Sequence, residues 1–384
     1  MDFSFTKEQE AFREMIRDFI KRECPPDLDR RLDDEQRYPI ELTPKVVETG
    51  LLGLPFAEKY GGSGGGVMEF VIAAEELAYG SAAVASVFIL PAFFAGEMIN
   101  LNGSEEQKVE WLPRIARGEV RGCFALTEPN AGSDAVHIEA RAVADGDDFV
   151  INGQKTMISG VDVATHMMIA TNTAPGGEYG GMTIFMVPMD TPGIRYRRLG
   201  KIGSELIGAF EVFLDDVRVP RENIMGGPEM FNQGWIQLMR QLDLERIMIS
   251  AQFLGIAARA TDDALRYAKE RKQFGKKIGS YQMIMQILAD MTIGVQTSRF
   301  ITYYAAWLKS NDMPGVNLAA SQAKVYTTET ARKVCIDGMQ VMGGYGYLRE
   351  FDMQRFVRDS LLGPIGGGTN QIQRLIIGRE LGLI

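Results

Sequence analysis

Histidine and cysteine are scarce in this sequence. Among 384 residues there are two histidines, His137 and His166, and three cysteines, Cys24, Cys123 and Cys335, none in a paired spacing typical of metal ligands. Zinc sites and disulfide frameworks need several such residues at short intervals. The scarcity therefore argues against a zinc site, a disulfide framework and a mechanism driven by histidine.

Excess positive charge and long apolar runs are also missing. The 41 basic and 50 acidic residues give a net charge of −9, which disfavours general binding to nucleic acid. No uninterrupted apolar run is long enough to cross a bilayer, and the opening MDFSFTKEQE has neither a signal core nor a transit pattern. We therefore expect no membrane span and a cytoplasmic location.

The sequence that is present divides into three segments in the order α–β–α. Residues 1–120 are predicted to be an N-terminal α-helical domain, whose first helix begins at a capping box of Thr6 and Gln9. Residues 121–229 contain short alternating segments and predict a middle β domain of barrel-like form. Residues 230–384 are rich in helix formers and predict a C-terminal helical bundle. The fold class is therefore α+β.

Individual elements follow from the same patterns. The dipeptide Asn152-Gly153 is typical of a hairpin turn. The predicted strands cover Phe149–Ile151, Met167–Thr171, Thr183–Val187 and Glu211–Leu214, and the predicted long helices cover Gly234–Phe274, Tyr281–Leu308 and Leu318–Met342. The glycine-rich Tyr60–Gly66 could suggest a phosphate cradle, but no Gly-Lys-Ser/Thr follows it, so a flexible loop is the preferred interpretation.

Donors and apolar side chains are concentrated in two stretches of the β segment, Cys123–Asp134 and Asn152–Ser159. A flavin ring needs hydrogen-bond donors where reduction builds negative charge, and apolar surface against its faces. Thr127 and Ser159 can donate, while Leu126 and Met157 can supply surface. The alternative is a polar turn between two domains, with Thr127 as a structural cap.

These stretches resemble motifs of the acyl-CoA dehydrogenase family. Thr127-Glu-Pro-Asn-Ala-Gly-Ser-Asp134 resembles the Thr-Glu-Pro-x-Ala-Gly-Ser-Asp signature, and Gln340–Gly346 through Gly368–Gln373 resembles the C-terminal signature. The resemblance extends over nearly the whole chain. It implies the family fold with a C-terminal four-helix bundle, FAD as cofactor, an acyl-CoA substrate, an electron-transferring flavoprotein as partner, and a homo-oligomer, as a tetramer.

The resemblance also assigns cofactor contacts. Within one subunit, the flavin would be lined by Phe124, Leu126, Thr127, Met157, Ser159, Thr369 and Gln371, and Ser133 would contact both flavin and CoA. Across a subunit interface, the pyrophosphate and adenosine would meet Arg271, Phe274, Gln282, Gln340, Gly343 and Gly344. The chemistry agrees, because Arg271 offers a charged fork for phosphate and Phe274 a stacking face. An exposed helix end at Arg271 is the alternative.

The catalytic base is displaced in this sequence. Gly367 occupies the place where the C-terminal signature often carries the catalytic glutamate, and glycine cannot remove a proton. Glu245 matches the alternative base position of the isovaleryl-CoA and long-chain branches. Its helical neighbours Leu238, Leu242, Met248 and Ile249 are apolar, so desolvation should raise its pKa. The alternative is a surface Glu245 paired with a basic residue.

Other substrate contacts are less determined. Asp243, Arg246, Gly367 and Gly368 are candidate substrate-binding residues, although structural ion pairing is at least as good an interpretation of Asp243 and Arg246. The apolar Phe88–Phe94 could wall the acyl pocket or be ordinary core.

The resemblance implies α,β-dehydrogenation of a branched, alicyclic or longer acyl-CoA to a 2-enoyl-CoA. In that reaction the Gly367 N–H and a ribityl hydroxyl of FAD would polarise the thioester carbonyl. An enoyl-CoA reductase and a non-catalytic acyl-CoA-binding flavoprotein are the alternatives.

Overall fold

A computed structural model describes residues 4–174 and 181–383 and confirms the α–β–α architecture. The predicted domain ranges also include residues 1–3, 175–180 and 384, which lie outside the described residues. The first helix, α1 (Lys7–Glu23), begins at the predicted capping box: Gln9 N donates to Thr6 Oγ1, and Thr6 N donates to Gln9 Oε1. The other helices of this part are α2 (Leu28–Glu35), α3 (Thr43–Glu48), α4 (Val67–Gly80), α5 (Ala82–Phe88), α6 (Met98–Asn102) and α7 (Glu105–Ala116).

A π-helical segment, Ile89–Glu97, joins α5 to α6 into one continuous helical run. By length and composition Ala82–Asn102 is apolar enough to span a membrane. However, 83% of its most apolar window is buried inside the protein. Core helices pass the same test, so the run is weak evidence for a span.

The glycine-rich segment is a loop, as predicted, but it is docked rather than free. Gly64 N donates to Phe56 O, and Gly65 N donates to Leu54 O, both at 2.8 Å. A Cβ atom at Gly62 would stand 2.2 Å from Phe56 O. Glycine is therefore needed here for close approach between two stretches of backbone.

The middle part is a seven-stranded sheet in the order β1-β4-β2-β3-β7-β6, with β5 paired to β4. Its strands are β1 (Gly122–Ala125), β2 (Arg141–Asp145), β3 (Asp148–Ser159), β4 (His166–Asn172), β5 (Met182–Pro188), β6 (Ile194–Leu199) and β7 (Ala209–Pro220). The four predicted strands fall inside β3, β4, β5 and β7, and each observed strand is longer than its prediction.

The hairpin predicted at Asn152-Gly153 is wrong, because β3 runs through this dipeptide. The register with β7 shifts between Ile151 and Gly153, so the glycine serves a bulge, and its φ is 150°. Asn152 is held by Asp216 across the bulge, with Asp216 N donating to Asn152 Oδ1 at 2.9 Å. The turn between β2 and β3 lies instead at residues 146–147.

The C-terminal part is dominated by three long helices that pack on one another: α8 (Gly234–Glu270), α9 (Gln282–Ser310) and α10 (Val316–Met342). The predicted helix through Phe274 stops at Glu270, where a small hairpin of β8 (Lys272–Gln273) and β9 (Lys276–Lys277) follows. The short helices are α11 (Gly344–Tyr347), α12 (Met353–Ser360) and α13 (Asn370–Glu380). Helix α13 lies against α10.

Helix α12 joins all three parts of the chain. Arg358 pairs with Asp33 of α2 and donates through Nη1 to Ile202 O of the middle part at 3.2 Å. The next residue, Asp359, accepts a hydrogen bond from Ser204 N at 2.6 Å. The three parts are therefore fastened together at one point.

Candidate active site

Glu245 and Gly367 lie side by side. Glu245 is on α8 and is partly buried, and Gly367 is in the turn that precedes α13. An ideal Cβ atom on Gly367 would stand 3.4 Å from Glu245 Oε1 and 2.2 Å from Ile249 Cδ1. The two alternative base positions named from the sequence therefore open onto the same small volume.

Burial sets the protonation chemistry of Glu245. Desolvation raises the pKa of its carboxyl above the ordinary value, and the charges of Arg246 and Lys324 oppose this rise. No hydrogen bond or ion pair to the Glu245 side chain is found within residues 4–174 and 181–383. The alternative of a surface ion pair is therefore not what the fold provides, and a partly desolvated carboxyl is suited to act as a base.

Lys324 of α10 holds the turn at Gly367 through hydrogen bonds. Lys324 is fully buried, and its Nζ donates to Gly368 O and to Asn370 Oδ1, both at 2.9 Å. Gln373 Nε2 donates to Gly367 O at 3.2 Å. Desolvation lowers the pKa of Lys324 to about 8. The glycine turn is thus positioned by side chains that the sequence reasoning did not identify.

The backbone of Gly367 is also notable. Its φ is 63°, in the left-handed region, and no backbone hydrogen bond among the described residues uses its N–H. A free N–H beside the partly buried Glu245 carboxyl is a suitable donor to a carbonyl oxygen. Thr369 follows as the N-cap of α13, where its hydroxyl accepts from Ile372 N, and Gln371 is exposed.

Asp243 and Arg246 form the structural pair that the sequence left open. Arg246 is 5% exposed, and its Nη1 donates to Asp243 Oδ1 at 3.1 Å and to Asn317 Oδ1 at 2.6 Å. Desolvation raises the pKa of Asp243 and lowers that of Arg246. The Nε of Arg246 is buried without a partner in the described chain, so it retains capacity for a ligand.

A second group of candidate residues lies where β1 and β3 end. Thr156 N donates to Thr127 O at 2.9 Å, which brings the segment after β1 against β3. Phe124, Leu126, Thr127 and Ser159 are partly exposed here. Met157 is 65% exposed and has a left-handed φ of 57°. Exposed apolar side chains beside hydroxyl groups form a surface that fits a flat, partly polar ring. Ser133 is exposed on the same loop.

A buried ion pair supports this second group. Lys155 and Glu128 are 0% and 4% exposed, and Lys155 Nζ lies 2.7 Å from Glu128 Oε1. Lys155 Nζ also donates to Leu126 O at 3.1 Å, and Glu128 accepts from Ala140 N. Desolvation lowers the pKa of Lys155 to about 8. Neither residue was identified from the sequence, where the only signal was a single lysine inside an otherwise uncharged strand segment.

The third group surrounds a cavity of about 680 Å³ on the protein surface. Arg271, Phe274, Gly343 and Gly344 line it, and Phe274 is 95% exposed. Cβ atoms on Gly343 and Gly344 would meet nothing within 4 Å, so the backbone there is open to a ligand. Gln282 and Gln340 are exposed nearby, at the ends of α9 and α10.

Glu245 and the third group lie at different ends of α8. At 1.5 Å per residue, Glu245 and Glu270 are separated by about 37 Å of helix. The members of each group therefore lie close to one another. The Arg271 group, however, lies far from the Glu245 group within one chain. Among the apolar wall candidates, Phe88, Leu90 and Phe93 are core residues, while Ile89 and Phe94 are partly exposed.

The described residues contain no cluster of three or more His, Cys, Asp or Glu side chains that could hold a metal ion. The FAD predicted from the sequence is compatible with the residues present. The β1 and β3 ends offer a partly apolar surface with donors, and the third group offers an arginine, an exposed aromatic ring and open glycine backbone.

Comparison with known proteins gives a consistent result. Models of the acyl-CoA dehydrogenase N-terminal, middle and C-terminal domains match residues 6–119, 123–217 and 232–382. The chain is 39% identical to a probable acyl-CoA dehydrogenase, YngJ, of Bacillus subtilis (strain 168), over 99% of this chain and 100% of that protein. It is 35% identical to a short-chain specific acyl-CoA dehydrogenase of Clostridium acetobutylicum, over 99% and 100%.

Two further similarities bear on chemistry. The chain is 34% identical to the caffeyl-CoA reductase-Etf complex subunit CarC of Acetobacterium woodii, over 98% of this chain and 99% of that protein. It superimposes on butyryl-CoA dehydrogenase from Megasphaera elsdenii with a TM-score of 0.93 and 34% identity, over 99% and 100% of the two chains.

Proposed function

The chain belongs to the acyl-CoA dehydrogenase family, and on that premise we propose that it converts an acyl-CoA to a 2-enoyl-CoA with Glu245 as the base. It is an FAD-dependent oxidoreductase that acts on CH–CH bonds. The observation that carries the assignment of the base is the partly buried Glu245 carboxyl beside Gly367, with a raised pKa and no ion-pair partner among the described residues.

Each residue of the site has a separate role in the proposed reaction. Glu245 removes the α-proton, and the N–H of Gly367 donates to the thioester oxygen, where negative charge develops. Lys324 and Gln373 hold the Gly367 turn in place. The Lys155–Glu128 pair fixes the loop that carries Leu126 and Thr127. Thr127 and Ser159 would hold the flavin of FAD, which would supply the acceptor for the β-hydride.

The cofactor arrangement supports an oligomer as part of the proposal. The flavin surface belongs to β1 and β3, whereas Arg271 and Phe274 lie at the far end of α8, about 37 Å of helix from Glu245. We infer that Arg271 binds the cofactor of a neighbouring subunit in a tetramer. An electron-transferring flavoprotein is the proposed acceptor, supported by the similarity to an Etf-complex subunit.

A second function is favoured by one observation. The similarity to CarC, a caffeyl-CoA reductase subunit, supports an enoyl-CoA reductase built on the same site. For the acyl group we propose a branched, alicyclic or longer chain, from the position of Glu245. The similarity to a short-chain specific enzyme favours a short chain instead.

Anaerobic titration of the purified, FAD-loaded protein with straight, branched and cyclic acyl-CoAs tests these functions. Bleaching of the flavin by saturated acyl-CoA supports dehydrogenation. Reoxidation of the reduced protein by enoyl-CoA, without bleaching by the saturated form, supports reduction. Retained FAD with no response to either panel would contradict both and leave a binding protein.

A further inference from the structure

Two buried amides on the Glu245 helix, Gln237 and Gln241, have an unpaired oxygen among the described residues; Gln237 still donates to Met225 O, whereas no hydrogen bond of the Gln241 side chain is found there. Gln241 is 4% exposed, and its Oε1 makes no hydrogen bond within residues 4–174 and 181–383. Its surroundings on α8 are apolar, since Leu238 and Leu244 are each 3% exposed. Nearly all buried amide oxygens in folded proteins are paired, so an unpaired one calls for a ligand or a structural reason.

Gln241 lies on the same face of α8 as Glu245. The two residues are four positions apart, which is about one helical turn, and their Cβ atoms are therefore separated by roughly 5–6 Å. One turn further in the other direction, Ile249 contacts the Gly367 turn. Gln241, Glu245 and Ile249 thus follow one line along the helix, with the base in the middle.

Helix α6 places a polar side chain against this end of α8. Asn102 Nδ2 donates to Gln237 O at 3.3 Å, which places α6 against the first turn of α8. Glu97, at the end of the π-helical segment, lies within electrostatic reach of Lys309, as does Asp243 on α8. Glu97 itself is 3% exposed, and Asn100 Nδ2 donates to its Oε1 at 3.2 Å.

These positions limit what an acyl chain can carry. A second carboxylate on the acyl chain would lose its hydration opposite the Gln241 oxygen, which can only accept a hydrogen bond. An ammonium group would lose its hydration opposite a neutral amide, which is unfavourable. A purely apolar chain would leave the Gln241 oxygen unpaired. A neutral hydrogen-bond donor on the acyl chain carries no charge to desolvate and pairs with the Gln241 oxygen.

We propose that Gln241 is a specificity-determining residue that accepts a hydrogen bond from a hydroxyl group of the acyl chain, roughly four bonds beyond the α-carbon. The proposal rests on the proposed dehydrogenase function and names its substrate class, a short ω-hydroxyacyl-CoA. A site built to bind a hydroxyl group rejects the analogue that lacks it, because its own polar atom is then left unpaired.

The test compares hexanoyl-CoA with 5-hydroxypentanoyl-CoA, in which a hydroxyl replaces the terminal methyl group. With the FAD-loaded enzyme, the hydroxy thioester should have a kcat/KM about tenfold higher, the effect of one ordinary hydrogen bond. Gln241→Met, which keeps the length of the side chain, should abolish or reverse this preference. Leu238→Met on the adjacent turn controls for general repacking and should leave the ratio between the two thioesters unchanged.

Binding separates this proposal from the proposed function. Calorimetric titration of both thioesters into Glu245→Gln and into Glu245→Gln/Gln241→Met measures the same preference without turnover. Equal ratios in the two variants, as expected if only a water molecule meets Gln241, would overturn the role of Gln241 even if the wild type bleaches. A tenfold binding preference in Glu245→Gln that is lost in the double variant, together with no flavin reduction of the wild-type enzyme by either thioester, would instead overturn the dehydrogenase function and leave the hydroxyl site standing.

Discussion

Glu245 Oε1 stands 3.4 Å from the position that a Cβ atom on Gly367 would occupy. The carboxyl comes from a long helix and the glycine from a turn more than a hundred residues later in the sequence. If Glu245 is the base, as proposed, a carboxylate placed at Gly367 would reach the same substrate carbon.

Glu245→Gln should keep FAD and bind acyl-CoA, but it should lose nearly all flavin reduction, because the amide retains the shape and lacks a basic site. In the wild type the base must be deprotonated. Since burial raises the pKa of Glu245, the reduction rate should fall as the pH falls through a value above 4.5. Stopped-flow reduction at several pH values measures both effects. Native-rate bleaching by the variant would exclude Glu245 as the base.

Moving the base to Gly367 requires a third change. Glu245→Gly/Gly367→Glu should recover little activity, because the new Cβ atom meets Ile249 Cδ1 at 2.2 Å. Adding Ile249→Val removes that methyl group, and the triple variant should recover part of the rate, with a changed acyl preference. Recovery stays partial because a left-handed φ costs about 1–3 kcal/mol for a residue other than glycine.

The measurement is the flavin reduction rate per bound FAD, with Glu245→Gly/Ile249→Val as the matched control. If the triple variant binds FAD and substrate but is no faster than that control with any acyl-CoA, the two base positions are not equivalent in this chain.

Lys324→Met should shift the pH profile of flavin reduction upward. The positive charge of Lys324 lowers the pKa of Glu245, so its removal should raise that pKa further. The difference from wild type should be present below about pH 8 and shrink above it, where Lys324 itself loses its proton. Lys324→Arg keeps the charge and serves as the control. An unchanged kinetic pKa in Lys324→Met would show that the two groups are not coupled.

Breaking the Lys155–Glu128 pair from one side should weaken both the fold and cofactor retention. Lys155→Met leaves Glu128 buried without its cation, which typically costs about 3–5 kcal/mol. Lys155→Met/Glu128→Gln should recover part of that loss. Chemical denaturation and the FAD content of the purified variants measure the two effects. Additive losses in the double variant would mean that the two residues act independently.

Arg271→Met should lower FAD retention on dilution without altering the Glu245 site in its own subunit. The reason is that Arg271 is the exposed cation in the cavity at the far end of α8. Gel filtration with absorbance at the flavin band follows FAD and oligomer together, and Lys21→Met on α1 is a charge-matched control. A monomer that retains stoichiometric FAD at low concentration would contradict the shared site.

The sequence predicts local features of this fold well. The Thr6–Gln9 capping box and the long C-terminal helices depend on residues close in the chain, and they were located correctly. The Asn152-Gly153 hairpin was not, because the same dipeptide also suits a bulge when a strand from elsewhere pairs with both sides. The β7 partner that decides between them lies about sixty residues away.

The site residues also divide into those that could be chosen from the sequence and those that only the fold brings together. The adjacency of Glu245 and Gly367 agrees with the sequence-based choice of these two positions, and the role of Glu245 as the base stays a prediction. Lys324 and Lys155 could not be chosen from the sequence, because a lysine is buried only when distant carbonyl and carboxylate groups surround it. Those groups, Gly368 for one and Glu128 for the other, become neighbours only in the folded chain.

The fastening of Arg358 to Asp33 has a consequence for how the chain is made. These residues are 325 positions apart, so the contact cannot form before Arg358 has left the ribosome. Closing so long a loop is entropically unfavourable, and it is stabilised only when α2, the Ser204 loop and α12 are all present. The α2 side of this contact must therefore wait, incompletely docked, until α12 has been synthesised more than three hundred residues later, and during this interval its apolar side chains are exposed to aggregation.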